Sequence, residues 1–362
     1  MFRYRCIDFS RGVAAILIAI VHWNVFMIDA EWGTHSAGGL VPPVPSLLWP
    51  IYDYGSLGVQ YFWMISGFIF AFVYGKSDIG LTEFFGRRVA RLYPLHIVTL
   101  VAVALCQMVL IILVGTALFI PANDLYHFGL NLLFIPSLGF EAGPSFNSPI
   151  WSVAIEVPIY LLFWICLRYL PLNTGTALII AAVFFLLQRY ITFNHLDYCG
   201  MMFFIGVAIF YASQWFEPKA LSVLAVACFL GWVVGASVFP NISSSNTVVL
   251  VMSFGLPLVI LGALDRLWVG RNMILDRLAA FGDLSYSIYL IHLPLLMLIS
   301  IGMAGLGLDR GLLSGNVTAM LVYLGITIWV SHLSLTWFEA PARRWLRSAF
   351  KPATGMTKSV ES

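Results

Sequence analysis

Residues 5–23, RCIDFSRGVAAILIAIVHW, decide the fold class. Behind the cations Arg5 and Arg11 the run stays apolar for ten residues and then meets His22, Trp23 and Asn24. No small-residue cleavage site closes it, so it is expected to be a retained signal-anchor helix and not a removed leader. The rest of the chain repeats the pattern. Of 362 residues, 60% are hydrophobic and only 10% charged, with a mean hydropathy of +0.92. Ordinary soluble domains carry roughly 45–50% apolar and about 25% charged residues. A soluble globular enzyme is excluded, and the apolar runs continue end to end without a composition break.

A helix needs about 20 mostly apolar residues to cross the hydrocarbon core. Ten candidate spans meet that requirement, near 12–29, 57–75, 95–120, 149–168, 175–190, 198–214, 220–239, 247–264, 281–301 and 317–338. The pair 175–190 and 198–214 is weaker, because Arg189, His195 and Asp197 separate short apolar runs. Residues 127–140, HFGLNLLFIPSLGF, are too short to span and suit a re-entrant or interfacial segment. With the N-terminus inside, seventeen of the nineteen Lys and Arg fall in cytoplasmic segments, leaving Arg189 and Arg310 outside. The positive-inside rule therefore favours an all-α polytopic bundle of about ten transmembrane helices with both termini in the cytoplasm. The expected layout is a membrane domain over 1–347 and a basic cytoplasmic tail over 348–362.

The formal net charge of +2 is too small to suggest nucleic-acid binding. The five cysteines, Cys6, Cys106, Cys166, Cys199 and Cys228, form no CxxC pair, so neither a zinc site nor a disulfide framework is signalled, and no metal is expected.

Ionisable residues inside spans are functional-site candidates by default. Arg11 and His22 are eleven residues apart, close to three helical turns, which puts them on one face about 16 Å apart along the axis. Such a ladder suits an extended ligand with its anionic part at the cytoplasmic rim and its reactive end near mid-membrane. Glu156, in WSVAIEVPIY, and His22 reach similar depths, about 10 Å below the outer surface. A carboxylate apposed to an imidazole would orient it for general-base work; whether the two helices face each other is not visible in sequence. In TEFFGRRVARLYPLH, a helical path clusters Arg87, Arg88 and Arg91, whose guanidinium forks suit phosphate or carboxylate groups. Simple positive-inside anchoring explains the same run, and Pro94 is expected to start or kink the next span. His292, with Ser285, Tyr286 and Tyr289 nearby, suits either a structural or a site-lining role. Glu339, before Pro341 and an arginine pair, suits an ion-pair anchor, and His332 a structural role. In the outer loop EWGTHSAGGLVPPVPSLLWP, Glu31, Trp32, His35 and Trp49 are sugar-binding residue types or interfacial belt residues. Walker, dinucleotide, HExxH and GxSxG signatures are absent.

Six fragments in order, IDFSRGVAAILIAIVHW, GVQYFWMISGFIFAFVY, RRVARLYPLH, SPIWSVAIEVPIYLLFW, LSYSIYLIHLPLL and FEAPARRWLR, resemble the membrane-bound acyltransferase-3 family across residues 7 to 347. The resemblance implies an O-acyltransferase of the bacterial inner membrane. It would move an acyl group, foremost acetyl, from cytoplasmic acyl-CoA to a hydroxyl of a surface or exported saccharide, with the lipid bilayer and glycan-synthesis machinery as partners. The family's Arg and His pair matches Arg11 and His22, its RxxR matches Arg88 and Arg91, and its membrane Glu after the WS pair matches Glu156. Its tyrosine-rich segment matches Tyr289 and His292, and its terminal Glu-x-Pro matches Glu339 and Pro341. His22 and Glu156 are thus the expected catalytic pair, Arg11, Arg87, Arg88 and Arg91 the acyl-CoA ligands, and Tyr289, His292 and Glu339 the site lining. FSRG departs from the commoner LRG, and an appended extracytoplasmic esterase-like domain is not expected. Other readings are an acyltransferase acting on a small molecule such as a macrolide, and a proton-coupled saccharide transporter or flippase built on His22 and Glu156.

Overall fold

The computed structural model describes residues 2–27, 40–115, 117, 120, 122–188, 195–238, 247–268, 270 and 272–349. Among them every regular element is a helix. In a bilayer this is what the backbone demands, because an unpaired N–H or C=O in hydrocarbon costs several kcal/mol and a helix satisfies its own.

Each of the ten expected spans contains a helix. They are α1 (Arg5–Val21, continued by a 3₁₀ segment His22–Met27), then, past the short α2 (Pro45–Tyr54), α3 (Gly58–Tyr74) and α4 (Leu81–Val114). After the short α5 (Leu125–Leu132) come α6 (Trp151–Tyr169), α7 (Thr174–Leu187), α8 (Leu196–Ser213), α9 (Pro218–Val238) and α10 (Thr247–Leu267). The amphipathic α11 (Met273–Asp283) leads into α12 (Ser285–Gly305) and α13 (Val317–Leu333), and a π-helical turn, Ser334–Glu339, joins α13 to α14 (Ala340–Ala349). Among the described residues eight segments are long and apolar enough to cross a membrane. The other two, Thr174–Leu187 and Pro218–Val234, are apolar but shorter. At 1.5 Å per residue the 14 residues of α7 cover only about 21 Å of a hydrocarbon core roughly 30 Å thick. The chain is an all-α, multi-pass membrane protein.

One boundary differs instructively. The arginine-bearing stretch before Pro94 is not a loop leading to a span; it is the first turns of α4, which runs through Pro94 to Val114 and stops at Gly115, whose φ of +85° is a left-handed cap. Proline removes one ladder hydrogen bond, but in a membrane the alternative of an open backbone costs more. Arg87, Arg88 and Arg91 therefore stand on rigid helix.

Close approach of small residues locks the bundle. A Cβ on Gly67 of α3 would lie 1.8 Å from the Phe203 carbonyl oxygen of α8, and one on Gly206 would lie 1.9 Å from that of Met64. Both neighbours are helix backbone, which cannot give way, the arrangement expected where packing alone holds helices together in lipid. Gly67→Ala and Gly206→Ala should each force α3 and α8 apart, at the upper end of the roughly 1–3 kcal/mol typical of overpacking. Thermal unfolding in detergent should show a lowered midpoint for both; unchanged midpoints would mean that the two helices are not held at this separation.

At one end of the bundle, polar contacts tie helix termini together. Arg3 bonds Asp8 and Asp283, Arg5 bonds Asp276 and the Trp268 carbonyl, Arg168 pairs with Asp78, and Arg266 donates to the Ser213 carbonyl. Asp265 of α10 accepts the otherwise orphaned N–H groups of Cys6 and Ile7 at the start of α1. α5 is a short capped helix and not a span. Its cap Asp124 accepts from the His127 backbone N–H and ring, bonds that hold its carboxyl below the usual carboxylate range.

Candidate active site

A cleft of about 770 Å³ opens between α1, α3, α4, α6 and α12. Arg11, Arg88 and Arg91 line it, together with Glu156, Tyr160 and Tyr289. Three guanidinium groups from two helices thus converge on one space, with one carboxylate among them.

Each cation is held by its neighbours. Arg11 donates to Asp8 one turn back at 3.2 Å and to the Ser285 hydroxyl of α12 at 3.2 Å. Asp8 is itself gripped by Arg3, so the N-terminal turn acts as a clamp for Arg11. Arg88 lies over the Phe70 ring, 4.7 Å from its centroid, and donates to the Tyr74 hydroxyl at 2.8 Å. Stacking and hydrogen bonding together fix the plane of the guanidinium, which is what bidentate anion recognition requires. The Arg88 Nε is buried without a partner. Glu156, buried, accepts the Tyr160 hydroxyl one turn along α6.

At the other end of the cleft a relay of polar groups begins. The Tyr289 hydroxyl donates to the Pro149 carbonyl at 2.8 Å and lies 2.7 Å from Ser152 Oγ. One turn farther along α12, His292 is fully buried. Its ring centroid lies 6.0 Å from that of Tyr289 and 4.8 Å from that of His22. His22 begins the 3₁₀ segment in which α1 tightens, and its Nδ1 lies 2.8 Å from the Ile18 carbonyl oxygen. Because a carbonyl only accepts, that nitrogen carries a proton, and in the neutral imidazole Nε2 then keeps its lone pair. His292 Nδ1 lies 3.2 Å from the Ile288 carbonyl in the same way, and its Nε2 is buried with no partner. Two imidazoles, each with Nδ1 engaged by a carbonyl of its own helix, therefore sit side by side, about three turns along α1 from Arg11.

The sequence expectations sort as follows. Arg11, Arg88, Arg91, Glu156 and Tyr289 share the cleft, and His292 and His22 adjoin its Tyr289 end. The apposition of His22 with Glu156 is replaced by His22 against His292, because α1 packs on α12 here and Glu156 is engaged by Tyr160. Arg87 is not in the lining and pairs instead with Glu83 at 2.5 Å. Glu339 is buried and accepts from Ser287 and Ser334 at 2.6 and 2.8 Å, a placement produced by the π-helical turn; it is a bolt between α12 and α13 beside the cleft and not part of its wall. His332 is exposed on α13, and Trp49 is 53% exposed on α2. Glu31, Trp32 and His35 lie outside the described residues. Asp8, Tyr74 and Tyr160 were not anticipated. Two of them carried a legible signal, since Asp8 is three residues from Arg11 and Tyr160 four from Glu156, the spacings at which helical side chains meet.

Comparison with known proteins accords with this arrangement. The acyltransferase domain model matches residues 4–335, and the chain belongs to that acyltransferase-3 family. Similar proteins include the acyltransferase MdmB of Streptomyces mycarofaciens, 34% identical over 115 residues, which are 30% of this chain and 27% of that protein. The putative membrane-bound transacylase BcsY of Komagataeibacter xylinus is 25% identical over 322 residues, 81% of this chain and 72% of that protein. This chain thus spans about a quarter of the length of MdmB and nearly three quarters of that of BcsY. No solved structure matches. The chain is thus a multi-pass member of an acyltransferase family.

Proposed function

We propose that the protein is an O-acyltransferase of the bacterial inner membrane that takes an acyl group, foremost acetyl, from cytoplasmic acyl-CoA and delivers it to a hydroxyl of a surface or exported saccharide. The observation that carries this reading is the convergence of Arg11, Arg88 and Arg91 on a cleft whose far end adjoins two imidazoles. The topology proposed with it has ten crossings, α7 and α9 included, and both termini in the cytoplasm.

The phosphates of the donor bind the three arginines, and its thioester arm extends along α1 toward His22, about 16 Å away along the helix. Tyr289 and Ser152 border that path. His22 Nε2 takes the proton of the acceptor hydroxyl as its oxygen attacks the thioester carbonyl. The carbon–oxygen bond forms, the carbon–sulfur bond breaks, and the departing thiolate recovers the proton from the imidazolium. A two-step route in which His22 Nε2 first carries the acyl group uses the same lone pair. His292, 4.8 Å away by ring centroid, keeps a second lone pair beside the first and so steadies the imidazolium once it forms. Glu156 and its Tyr160 partner balance the charge of the arginines.

The direct test follows acetyl from labelled acetyl-CoA in cells with and without the chain, measuring ester-linked acetyl on total surface glycan. Label should rise on glycan only where the chain is present. Consumption of acetyl-CoA with no gain of glycan ester would instead point to a small-molecule acceptor.

A further inference from the structure

A second cavity, of about 930 Å³, lies at the N-terminal end of α6. Among the described residues its lining contains no Lys or Arg and is rich in recognition groups: Ser137, Glu141, Ser145, Ser148, Trp151 and His195. The rings of Trp151 and His195 lie 5.3 Å apart, and Trp151 is braced edge-on against Trp63 at 5.9 Å. Glu141 accepts the Ser137 hydroxyl at 2.6 Å through Oε1, while its Oε2 is buried with no partner. A carboxylate oxygen withdrawn from water without a donor is unfavourable by itself, and a ligand hydroxyl would satisfy it. The walls are fixed. Ser145 accepts the Asn131 amide at 2.8 Å, and Asn147 donates to the Leu290 carbonyl of α12 at 3.1 Å. Ser137 and His195 hold φ angles of +63° and +69°, strained for non-glycine residues and characteristic of backbone shaped for a ligand.

We propose that this cavity is the acceptor site and binds a neutral, hydroxyl-rich saccharide. Aromatic faces take the C–H face of a sugar ring, and carboxylate and serine oxygens take its hydroxyls. Among the described residues a phosphate or carboxylate would meet no lining cation here, in contrast to the first cleft with its three arginines. Position supports the assignment. Ile150 and Trp151 face the acceptor cavity while Ser152 and Val153 face the arginine cleft, so the two spaces back onto one turn of chain. That turn is pinned from behind by Tyr289 through Pro149 and Ser152. Donor and acceptor sites on opposite faces of a single turn, bonded to Tyr289 whose ring lies 6.0 Å from that of His292, let an acyl group pass while the bulk of each substrate stays on its own side.

This inference rests on the saccharide-acyltransferase reading, and its test separates the two. Trp151→Ala, Trp151→Phe and Glu141→Gln are expressed in cells lacking the wild-type chain. Three quantities are measured: ester-linked acetyl on total surface glycan, membrane abundance, and acetyl-CoA binding by the purified protein. The expected result is a tenfold or greater fall in glycan acetyl for Trp151→Ala and Glu141→Gln at normal abundance, with acetyl-CoA affinity within twofold of wild type and Trp151→Phe retaining most function. Should Trp151→Ala misfold, the near-isosteric Glu141→Gln decides alone. Glycan acetyl unchanged in Glu141→Gln, or an equal loss of acetyl-CoA binding, overturns the acceptor site while leaving the wild-type reaction intact. Wild-type cells with no more ester than cells lacking the chain overturn the saccharide reading, and the acceptor site with it.

Discussion

His22→Ala should lower the rate of acyl transfer by about 10²–10⁴-fold, the range that a positioned general base contributes. The donor should still bind, within about twofold, because His22 is not among the residues lining the arginine cleft. The separation of the two effects is the informative part. Nδ1 is committed to the Ile18 carbonyl, so all the chemistry available to this side chain resides in one lone pair on Nε2. Removing it leaves the donor docked and unreactive. Rapid-quench measurement with labelled acetyl-CoA reads both quantities, and label retained on wild-type protein but not on His22→Ala would select the carrier route over direct attack. Turnover within tenfold of wild type would remove His22 from the chemistry.

Exchanging both Arg88 and Arg91 for alanine should do the opposite. A hydrogen bond to a charged group contributes about 1.5–3 kcal/mol. Losing one at each arginine therefore weakens acyl-CoA binding by roughly 10²–10⁴-fold, while bound donor keeps its intrinsic reactivity. Arg88→Lys should not rescue the affinity. The stack over Phe70 and the fixed bond to Tyr74 hold a planar fork, which an ammonium group cannot reproduce. Titration with free CoA, whose phosphates are the groups concerned, isolates this contribution from the acyl chain. A dissociation constant within threefold of wild type for the double variant would show that these cations only anchor the protein at the membrane surface.

Helical periodicity made much of this readable before any coordinates. The spans follow from apolar run length, and the Arg11 to His22 ladder from the near-integral number of turns between them. The convergence of Arg88 and Arg91 needed only that the segment be helical. Sequence could not show which helix faces which. His22 meets His292 and not Glu156 because α1 packs against α12 at that height, a tertiary fact with no trace in either segment. Pro94, expected to start or kink the next span, lies inside α4: its local preference against helix interior is outweighed in lipid by the cost of an open backbone. The second cavity was hidden because its residues come from the loop before α6 and from the turn before α8, short polar stretches that have no period to reveal them. Glu339 lies in a π-helical turn, and the identity of the residues Ser334–Glu339 gives no warning of the extra residue per turn.

The single turn between the two cavities carries an obligation of its own. With one space open to the cytoplasm and the other to the far side, as in the proposed topology, this turn stands between them and against one continuous file of water. Such a file would carry protons down the membrane potential, whose driving force is about 2.3 kcal/mol per charge for each 100 mV. In that topology the hydroxyls of Tyr289 and Ser152, closed on each other and on Pro149, have electrical insulation as a second duty.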